Sequence, residues 1–413
     1  MDTRELIMAD HRTFAVVGAG FAGAKAVETL RTEGFDGRVV LLGTEPERPY
    51  ERPPLSKDLL LGNAERESVF VHEPGWYAAN DVELRTGTTV TGLDLPKRTV
   101  RVDGGEDVGY DRLLLATGAT PRRLNVPGAD RALLLRTLAD SERIADAAKD
   151  GARLVVIGAG WIGLEVAAAA RSRGAAVTVV ETAALPLQRV LGDRMAGMFA
   201  GLHREHGVTF HFGAQVREIT GTGVVLGDGT VLPADAVVLA VGVNPNTGLA
   251  EQAGLGVDNG VLVDHRLRTS DPDIFAAGDI ANVDHPLLRT RVRVEHWDTA
   301  LHTGPAAALA MLDRDVSYDR LPYFFTDQYD LGMEYTGYVP PGASAEVVVR
   351  GDLEGREFIA FWLLDGRVAA GMNVNVWDVA DSIGDLVRAG LAGATADPGR
   401  LADPDVPLSG LLP

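Results

Sequence analysis

Two glycine-rich turns contain the residues of this chain whose types and spacing best suit ligand binding. The first turn is Gly18-Ala19-Gly20-Phe21-Ala22-Gly23, and the second is Gly158-Ala159-Gly160-Trp161-Ile162-Gly163. In each turn, the first glycine permits a tight bend, the second lets a pyrophosphate approach the backbone, and the third allows close helix packing. Each turn is therefore predicted to hold a dinucleotide pyrophosphate at a helix N-terminus.

An acidic residue follows each turn and could bind a ribose. Glu45 comes just after a predicted strand at residues 38–42, and Glu181 ends another at 177–180. A carboxylate accepts hydrogen bonds from a free ribose 2′-OH and repels a 2′-phosphate, so Glu181 predicts a preference for NADH over NADPH. Arg189 lies nearby in the sequence and is a further candidate contact of the cofactor.

Strands and helices must flank both turns if the turns are to hold dinucleotides. Apolar runs at residues 14–17 and 154–157 precede the turns, and helical patterns follow them to about Arg31 and Arg173. The order of strand, glycine turn, helix, strand and acid is far more specific than a lone GxGxxG motif. The expected fold class is therefore α/β, with two Rossmann-like dinucleotide-binding domains.

The sequence changes character from about Leu321. An aromatic segment at 323–329 is followed by strand-like segments at 346–350, 358–364 and 367–373 and by a predicted helix at 376–388. These features indicate a C-terminal α+β domain. The tail after Gly390 is rich in Ala, Gly, Pro and Asp, and we expect it to be loosely held.

Composition excludes several classes of protein and site. The 413 residues include no cysteine, which removes disulfides, thiolate metal sites and a redox-active cysteine pair, and no metal site is predicted. A formal net charge of −19 repels nucleic acid and anionic lipid, so neither is an expected partner. Residues 1–11 lack an apolar core, and residues 154–170 contain Glu165, so we predict a cytoplasmic protein without a signal peptide or a membrane span.

Three further segments could contact a cofactor or serve the fold alone. The proline-rich stretch 46–57 is either a rigid connection or a wall for a flat cofactor, with Arg52 and Lys57 supplying positive charge. Small residues at 116–120 let the backbone run close to a ligand or to another strand. Asp279 follows an apolar strand and a glycine, so it either points into a cleft or caps a helix.

Six motifs carry a resemblance to a known family. They are VGAGFAG at 17–23, PYERPPLSK at 49–57, ATG at 116–118, GAGWIGLE at 158–165, AAGD at 276–279 and EHW at 295–297. Together they resemble the flavin-dependent ferredoxin reductases of bacterial oxygenase systems, the family of putidaredoxin reductase and biphenyl dioxygenase reductase. Rubredoxin reductase and apoptosis-inducing factor are related to it. The likeness covers roughly residues 12–390.

The resemblance implies two cofactors and a split domain. The first fold is expected to bind FAD and the second NADH, with FAD-binding segments at 1–119 and 245–320, an NADH-binding domain at 120–244, and a C-terminal domain at 321–413. The residues expected to contact the cofactors are Gly18, Gly20, Phe21, Ala22, Gly23, Thr44, Glu45, Arg52, Lys57, Val90, Ala116, Thr117, Gly118, Arg136, Gly158, Gly160, Trp161, Ile162, Gly163, Glu181, Arg189, Gly242, Gly278, Asp279, Glu295, His296 and Trp297.

Some of these contacts have specific expected roles. Asp279 resembles the acid that bonds the ribityl or phosphate chain of the flavin, and Trp297 resembles the residue beside the isoalloxazine. Members of the family often have Asp at the position of Thr44, so Thr44 or Glu45 must take the adenosine ribose in this chain.

Lys57 and Glu165 are the candidate catalytic residues. Glu165 is expected in the first turn of the NADH-domain helix, where it could simply compensate the helix dipole, an effect of under about 1 kcal/mol. It would also lie near a pyrophosphate that repels it. An orientation toward the flavin edge, paired with Lys57, is the alternative, and such a pair could stabilise charge that develops there.

The implied activity is an NADH:ferredoxin reductase. Hydride passes from NADH to FAD, and single electrons then pass to an iron–sulfur ferredoxin that supplies an oxygenase such as a cytochrome P450 or a ring-hydroxylating dioxygenase. Arg289, Arg291 and Arg293 either form a basic docking patch or an ordinary solvated face. The alternatives are a rubredoxin or quinone reductase, an NADH oxidase, or a non-enzymatic flavoprotein of the apoptosis-inducing-factor type. The protein is expected to be a monomer or a homodimer.

Overall fold

A computed structural model describes residues 11–411 of the chain. The prediction that residues 1–11 lack a signal peptide therefore falls, except for His11, outside the described residues. The chain divides into two compact units. Within the described residues, unit 1 contains residues 11–51, 69–120 and 244–320, and unit 2 contains residues 52–68, 121–243 and 321–411.

The described residues contain more strands than helices. The strands are β1 (Thr13–Val17), β2 (Arg38–Leu42), β3 (Val82–Arg85), β4 (Val90–Asp94), β5 (Thr99–Val102), β6 (Val108–Gly109), β7 (Arg112–Leu115), β8 (Ala119–Pro121), β9 (Leu133–Leu134), β10 (Arg153–Ile157), β11 (Ala176–Glu181), β12 (Thr209–Phe212), β13 (Val216–Ile219), β14 (Gly223–Leu226), β15 (Val231–Pro233), β16 (Ala236–Leu239), β17 (Val243–Pro245), β18 (Val261–Val263), β19 (Ile274–Ala276), β20 (Ala281–His285), β21 (Thr290–Val292), β22 (Tyr323–Gln328), β23 (Leu331–Gly337), β24 (Glu346–Asp352), β25 (Glu357–Leu364) and β26 (Arg367–Val374).

The α-helices of the described residues range from single turns to the eighteen residues of Gln188–Glu205, which are kinked at Gly192, where φ is 75° and ψ is 173°. They are α1 (Phe21–Thr32), α2 (Asp58–Leu61), α3 (Trp76–Ala79), α4 (Leu138–Ala147), α5 (Trp161–Ser172), α6 (Gln188–Glu205), α7 (Gly248–Gln252), α8 (Trp297–Met311), α9 (Ala380–Leu391) and α10 (Pro398–Ala402). Short 3-10 helices cover Pro53–Ser56, Arg66–Val69, Ala129–Arg131, Gly278–Ile280 and Leu408–Leu411. None of the described helices is long and apolar enough to cross a membrane.

A parallel five-stranded sheet forms the centre of unit 1. Its strand order is β19-β7-β1-β2-β3, and every pairing is parallel. Phe14, Ala15 and Val16 of β1 are fully buried, as expected for a central strand covered on both faces. Parallel strands all end at the same edge of a sheet, so β1 and β7 deliver the glycine turn and Ala116 to one place. The amide of Ala116 donates to the carbonyl of Val17 there.

A second parallel sheet forms the centre of one part of unit 2. Its order is β12-β11-β10-β16-β9, again with every pairing parallel. β16 ends at Leu239, and Gly242, with a φ of 91°, then turns the chain. Two parallel sheets of this kind confirm the predicted α/β class with Rossmann-like folds.

The C-terminal part of unit 2 contains an antiparallel sheet. Its order is β22-β23-β26-β25-β24, so the aromatic segment at 323–329 forms an edge strand in addition to the three predicted strands. The following helix, α9, begins at Ala380 rather than at residue 376. Asn375 and Asp378 have φ values of 51° and 60°, which a right-handed helix does not allow, so the helix begins only after them.

The tail is not loosely held, contrary to expectation. It forms α10, and Leu401 of this helix is fully buried. Nη1 of Arg350 donates to the carbonyl of Asp403 at 2.6 Å, and its Nη2 donates to those of Pro404 and Val406. One guanidinium group thus ties several backbone carbonyls of the tail to β24. The low-complexity composition gave no sign of this contact, because its partner lies far away in the sequence.

Candidate functional site: two glycine turns and a buried Lys–Glu pair

The first glycine turn lies between β1 and α1 in unit 1 and is open on one side. Gly18 has a φ of 118°, and a Cβ there would lie 2.1 Å from the carbonyl oxygen of Ala116, so only glycine fits. A Cβ on Gly20, by contrast, would meet no heavy atom within 4 Å. Gly20 is the N-cap of α1 and supplies no side-chain cap. The first N–H groups of α1 thus have no side-chain cap, and the space beside Gly20 is clear, which suits a bound phosphate.

An aromatic pair stands at the start of α1 and α8. The rings of Phe21 and Trp297 lie 5.5 Å apart with an interplanar angle of 15°, and the indole Nε1 of Trp297 donates to Glu51 Oε2 at 2.8 Å. His296 is the N-cap of α8, because its ring nitrogen accepts from the amide of Asp298 at 3.2 Å. These contacts fix the side chain of Trp297 at the start of α8, and α8 packs against α1 within unit 1.

Asp279 lies in a short 3-10 helix beside the first turn of α1. The preceding Gly278 donates its amide hydrogen to Thr303 Oγ1 at 2.8 Å, and a Cβ on Gly278 would lie 3.1 Å from the Cβ of Ala22. The N-cap of this helix is Ala277, so Asp279 is not the helix cap that the sequence allowed as an alternative. Gly278, the residue before Asp279, thus lies close to Ala22 of the first turn, and the role of Asp279 stays a prediction.

Other predicted contacts of unit 1 have defined partners. The hydroxyl of Thr117 donates to the carbonyl of Asn246 at 2.9 Å, and the amide of Asn246 donates to the carbonyl of Gly118 at the same distance. Glu45 accepts a hydrogen bond from the hydroxyl of Tyr50. Thr44 is exposed just after β2, and Val90 begins the antiparallel sheet β4-β5-β6.

The second glycine turn repeats the geometry of the first in unit 2. Gly158 has a φ of 103°, and a Cβ there would lie 2.4 Å from the carbonyl oxygen of Ala240. A Cβ on Gly160 would meet nothing within 4 Å, and Gly160 is the uncapped N-cap of α5. Both turns therefore share one pattern. The first glycine has no room for a side chain, and the second has open space beside it.

Glu181 faces the second turn directly. Its Oε2 accepts from the amide of Ala159 at 2.8 Å, and its Oε1 accepts from the amide of Ala183 at 2.9 Å and from the hydroxyl of Thr182 at 3.0 Å. Burial acts to raise the pKa of Glu181, but these hydrogen bonds outweigh it and hold the pKa below its ordinary value. The carboxylate is therefore an ionised acceptor at the end of β11.

The remaining predicted contacts of the second turn differ in exposure. The ring of Trp161 packs against Phe324 and Phe199, with centroids 5.0 and 5.7 Å away, so it serves the apolar core of unit 2. The neighbouring side chain of Ile162 is 45% exposed. Arg189 and Gly242 are also exposed, with Arg189 in the first turn of α6.

Lys57 and Glu165 form an ion pair inside unit 2. Nζ of Lys57 lies 2.8 Å from Oε1 of Glu165, and the two side chains are 14% and 4% exposed. Ser56 Oγ donates to Oε2 at 2.5 Å, and Thr326 Oγ1 donates to Oε1 at 2.6 Å. The ammonium also lies 5.4 Å from the ring centroid of Phe325. The carboxylate is thus satisfied on both oxygens, as a buried charge must be.

The position of Glu165 corrects one expectation from the sequence. The first turn of α5 begins at Trp161 and contains no acidic residue, so Glu165 lies just beyond it. Dipole compensation falls off within the first turn and does not account for this carboxylate. The predicted pairing with Lys57 is what the structure shows.

Two predicted arginines meet in unit 2. The guanidinium of Arg52 donates to the carbonyl oxygen of Arg136, and the amide of Arg136 donates to Asp140 Oδ2 at 3.1 Å. Asp140 also completes a capping box with Thr137 at the start of α4. The cap of α4 therefore helps to position both arginines.

The candidate docking patch of three arginines is largely committed to unit 1. Arg291 Nη1 donates to the carbonyls of Asn282 and Val263, at 3.0 and 3.2 Å. Arg293 donates to the carbonyl of Asp279 and pairs with Glu295 at 2.5 Å, and its side chain is 8% exposed. These contacts give Arg291 and Arg293 structural partners, although Arg291, like Arg289, is exposed.

Sequence reasoning missed Ser56, Thr326 and Asn246 as parts of these sites. Ser56 directly precedes Lys57 in the PYERPPLSK motif, so the sequence could have suggested that it belongs to the site. Thr326 is one polar residue in an aromatic strand, and its partner Glu165 comes from a distant helix. No local pattern could have identified that contact.

Comparison with known proteins agrees with this arrangement. Residues 12–304 match the family model described as pyridine nucleotide-disulphide oxidoreductase, and residues 323–412 match the one described as reductase C-terminal. The first of these is an oxidoreductase family that uses FAD and NADH.

Relatives cover nearly the whole chain. The ferredoxin–NAD(+) reductase component of an anthranilate 1,2-dioxygenase system from Burkholderia cepacia is 41% identical over 97% of this chain and 99% of its own length. Putidaredoxin reductase from Pseudomonas putida is 38% identical over 87% of this chain and 88% of its own length. The solved covalent complex of putidaredoxin reductase and putidaredoxin matches with a TM-score of 0.91 and 36% identity, over 97% of this chain and 98% of that chain.

These matches confirm the resemblance to the reductases of bacterial oxygenase systems that the motifs indicated. The chain therefore belongs to the pyridine nucleotide-disulphide oxidoreductase family and ends in a reductase C-terminal domain.

Proposed function

We propose that this chain is a flavoprotein that takes hydride from NADH and delivers single electrons to an iron–sulfur ferredoxin, which supplies an oxygenase. The observation that carries the proposal is the duplicated cradle, since each unit contains an open glycine turn at an uncapped helix N-terminus. Relatives named as ferredoxin–NAD(+) reductases of dioxygenase systems support the same activity.

Unit 1 would hold FAD. Gly20 and the first N–H groups of α1 would bind the pyrophosphate, with Asp279 nearby, and Glu45 would bind the adenosine ribose. Trp297 would flank the isoalloxazine, as the family resemblance implies. Its ring is held in place by Glu51 and Phe21. Bound FAD supplies the redox chemistry, since a flavin accepts a hydride and returns electrons one at a time.

Unit 2 would bind NADH. Gly160 and the N-terminus of α5 would take the pyrophosphate, and Glu181 would accept hydrogen bonds from the 2′-OH of the adenosine ribose. Glu181 is ionised and fixed by the amides of Ala159 and Ala183, so it would repel the 2′-phosphate of NADPH.

The family resemblance assigns Lys57 and Glu165 to the reduction of the flavin. Their buried ion pair fixes the ammonium of Lys57 in one direction, so its charge needs no reorganisation when negative charge develops in the transition state. Glu165 holds Lys57 and balances its charge in the low dielectric of the interior. The remaining work of the protein in this step is to align the nicotinamide.

We propose that the electrons leave through a protein partner. The chain has no cysteine, so no protein dithiol can accept them. We also propose the domain limits given above, a cytoplasmic location and a monomeric or homodimeric state.

Electron transfer to added ferredoxins tests the function. The purified protein, loaded with FAD, is mixed with NADH, a [2Fe–2S] or [3Fe–4S] ferredoxin and cytochrome c. We expect cytochrome c reduction that depends on NADH and on the ferredoxin. NADH consumption that needs only oxygen would identify an oxidase instead, and turnover only with rubredoxin or quinone would identify a reductase of those acceptors. FAD reduction without turnover on any acceptor would favour a non-enzymatic flavoprotein.

A further inference from the structure

A chain of buried hydrogen bonds runs from Glu165 to helix α6. Thr326 Oγ1 lies 2.6 Å from Glu165 Oε1, Gln328 Nε2 lies 3.1 Å from Thr326 Oγ1, and His203 Nε2 lies 2.8 Å from Gln328 Oε1. The hydroxyl of Tyr329 lies 3.4 Å from the second ring nitrogen of His203. Thr326, Gln328 and His203 are each at most 1% exposed. The whole chain of bonds lies within unit 2.

Chemistry fixes the direction of these hydrogen bonds. An ionised carboxylate only accepts hydrogen bonds, so the hydroxyl of Thr326 donates its single proton to Glu165. The same hydroxyl oxygen then accepts a hydrogen bond from the side-chain Nε2 of Gln328. The carbonyl oxygen of Gln328 then faces His203, which must donate from Nε2. Every donor therefore points toward Glu165. A carboxamide does not pass protons on, so the chain of bonds orients the carboxylate and does not conduct protons.

The state of His203 agrees with this direction. Burial lowers the pKa of His203 to about 4, with the hydrogen bond to Gln328 acting in the opposite sense and the nearby His206 adding to the decrease. A neutral imidazole with its proton on Nε2 is what Gln328 requires. Tyr329 can then donate to the second ring nitrogen.

Thr326 and Gln328 belong to the C-terminal domain, whereas His203 does not. Thr326 and Gln328 are two positions apart on β22, so their side chains lie on the same face of this edge strand. That face meets α5, which carries Glu165. Lys57 and Thr326 bond to the same oxygen of Glu165, at 2.8 and 2.6 Å. The edge strand thus reaches the oxygen that holds the ammonium.

We propose that Thr326, Gln328 and His203 are positioning residues that hold the carboxylate of Glu165 with its Oε1 aimed at Lys57. The C-terminal domain would thereby set the rate at which NADH reduces the flavin. This inference rests on the proposed function, because it assigns these residues to the Lys57–Glu165 pair described there.

Stopped-flow reduction of bound FAD by NADH tests the proposal with the FAD-loaded full chain. Thr326→Val keeps the shape and removes the hydroxyl, so the limiting rate should fall about tenfold, the loss expected for a hydrogen bond to a charged group. The apparent affinity for NADH should change by less than about twofold, because the ribose and pyrophosphate contacts remain. Thr326→Ser restores the hydroxyl and should recover most of the rate.

A matched control separates the hydroxyl from the packing of the sheet. Thr336 is also a buried threonine, on the neighbouring strand β23, and Thr336→Val should reduce at the wild-type rate. Equal losses in Thr326→Val and Thr326→Ser, or a wild-type rate in Thr326→Val, would overturn the proposal. If Thr326→Val fails to fold, Gln328→Met serves in its place, with an expected loss of at least about threefold.

A measurement without NADH makes failure of this inference distinguishable from failure of the proposed function. Imidazole 15N spectra of the FAD-loaded protein at neutral pH should show His203 neutral and protonated on Nε2, with its signal identified by its loss in His203→Gln. Gln328→Met should shift that signal. Protonation on Nδ1 would overturn the direction of the chain of bonds, whatever the enzymatic result. A wild-type protein that NADH cannot reduce would instead reject the proposed function.

Discussion

Glu181 Oε2 accepts a hydrogen bond of 2.8 Å from the backbone amide of Ala159, the second residue of the second glycine turn. The acid at the end of β11 is therefore joined directly to the turn. This contact fixes the carboxylate where a ribose hydroxyl would meet it. A substitution of Glu181 can therefore test the predicted preference for NADH.

Glu181→Ala should reduce the discrimination between NADH and NADPH. The variant lacks both the acceptor for the 2′-OH and the repulsion of the 2′-phosphate, so we expect the ratio of kcat/KM values to fall about tenfold, mainly through a higher KM for NADH. Steady-state rates with both nucleotides measure the ratio. Glu218→Ala, on β13 of a separate sheet, is the control that should keep it. Full discrimination in Glu181→Ala would remove Glu181 from ribose binding.

Lys57→Met should slow the reduction of FAD by NADH about tenfold or more. The substitution keeps much of the side-chain volume but removes the fixed charge, and it leaves Glu165 buried without its counter-charge. Stopped-flow absorbance of the flavin gives the rate. Lys149→Met removes a lysine that is 68% exposed and should have no effect. An unchanged rate in Lys57→Met would show that this ammonium has no part in hydride transfer.

Gly158→Ala and Gly160→Ala should act in different ways although they lie two residues apart. A Cβ on Gly158 would meet the carbonyl of Ala240 at 2.4 Å with φ at 103°, so the variant should lose about 2 kcal/mol or more of unfolding free energy. A Cβ on Gly160 meets nothing within 4 Å, so stability should be nearly unchanged.

Gly160→Ala should instead bind NADH more weakly than the wild-type protein. The added methyl group on Gly160 would occupy the open face of the turn, so the KM for NADH should rise about tenfold, a change worth about 1.4 kcal/mol. Chemical denaturation and steady-state kinetics on both variants give the comparison. A normal KM in Gly160→Ala would mean that this face of the turn does not contact the nucleotide.

His203 should make the protein less stable in acid. The unfolded chain takes up a proton on this imidazole near its ordinary pKa of 6.5, whereas burial lowers the native pKa to about 4. Between these values the unfolded state binds more protons, so the unfolding free energy falls as the pH drops from 6.5 to 4. The full contribution, about 3 kcal/mol, is present above the ordinary pKa of the imidazole.

His203→Gln should flatten that part of the pH dependence, because glutamine does not titrate. Denaturation curves from about pH 4 to about pH 7 measure the slope. His265→Gln, which changes an exposed histidine, should leave the wild-type slope in place. A wild-type slope in His203→Gln as well would mean that His203 is not held neutral in the folded protein.

The sequence by itself determined the local parts of this protein. Each glycine turn depends on neighbours in the chain, since the φ of Gly18 and the clear face of Gly20 follow from residue types within a few positions. The order of strand, turn, helix and strand is equally local, and it predicted both parallel sheets. The pairing of Lys57 with Glu165 could also be predicted, but only through a family resemblance.

Tertiary structure alone decided the partners of the buried polar groups. Thr326 and Gln328 meet Glu165 and His203 because β22 packs on α5 and α6, and no spacing along the chain records that contact. The same reason explains why Arg350 holds a tail that composition suggested was loose. A buried hydrogen bond needs a partner in space, and packing brings together residues that are distant in sequence.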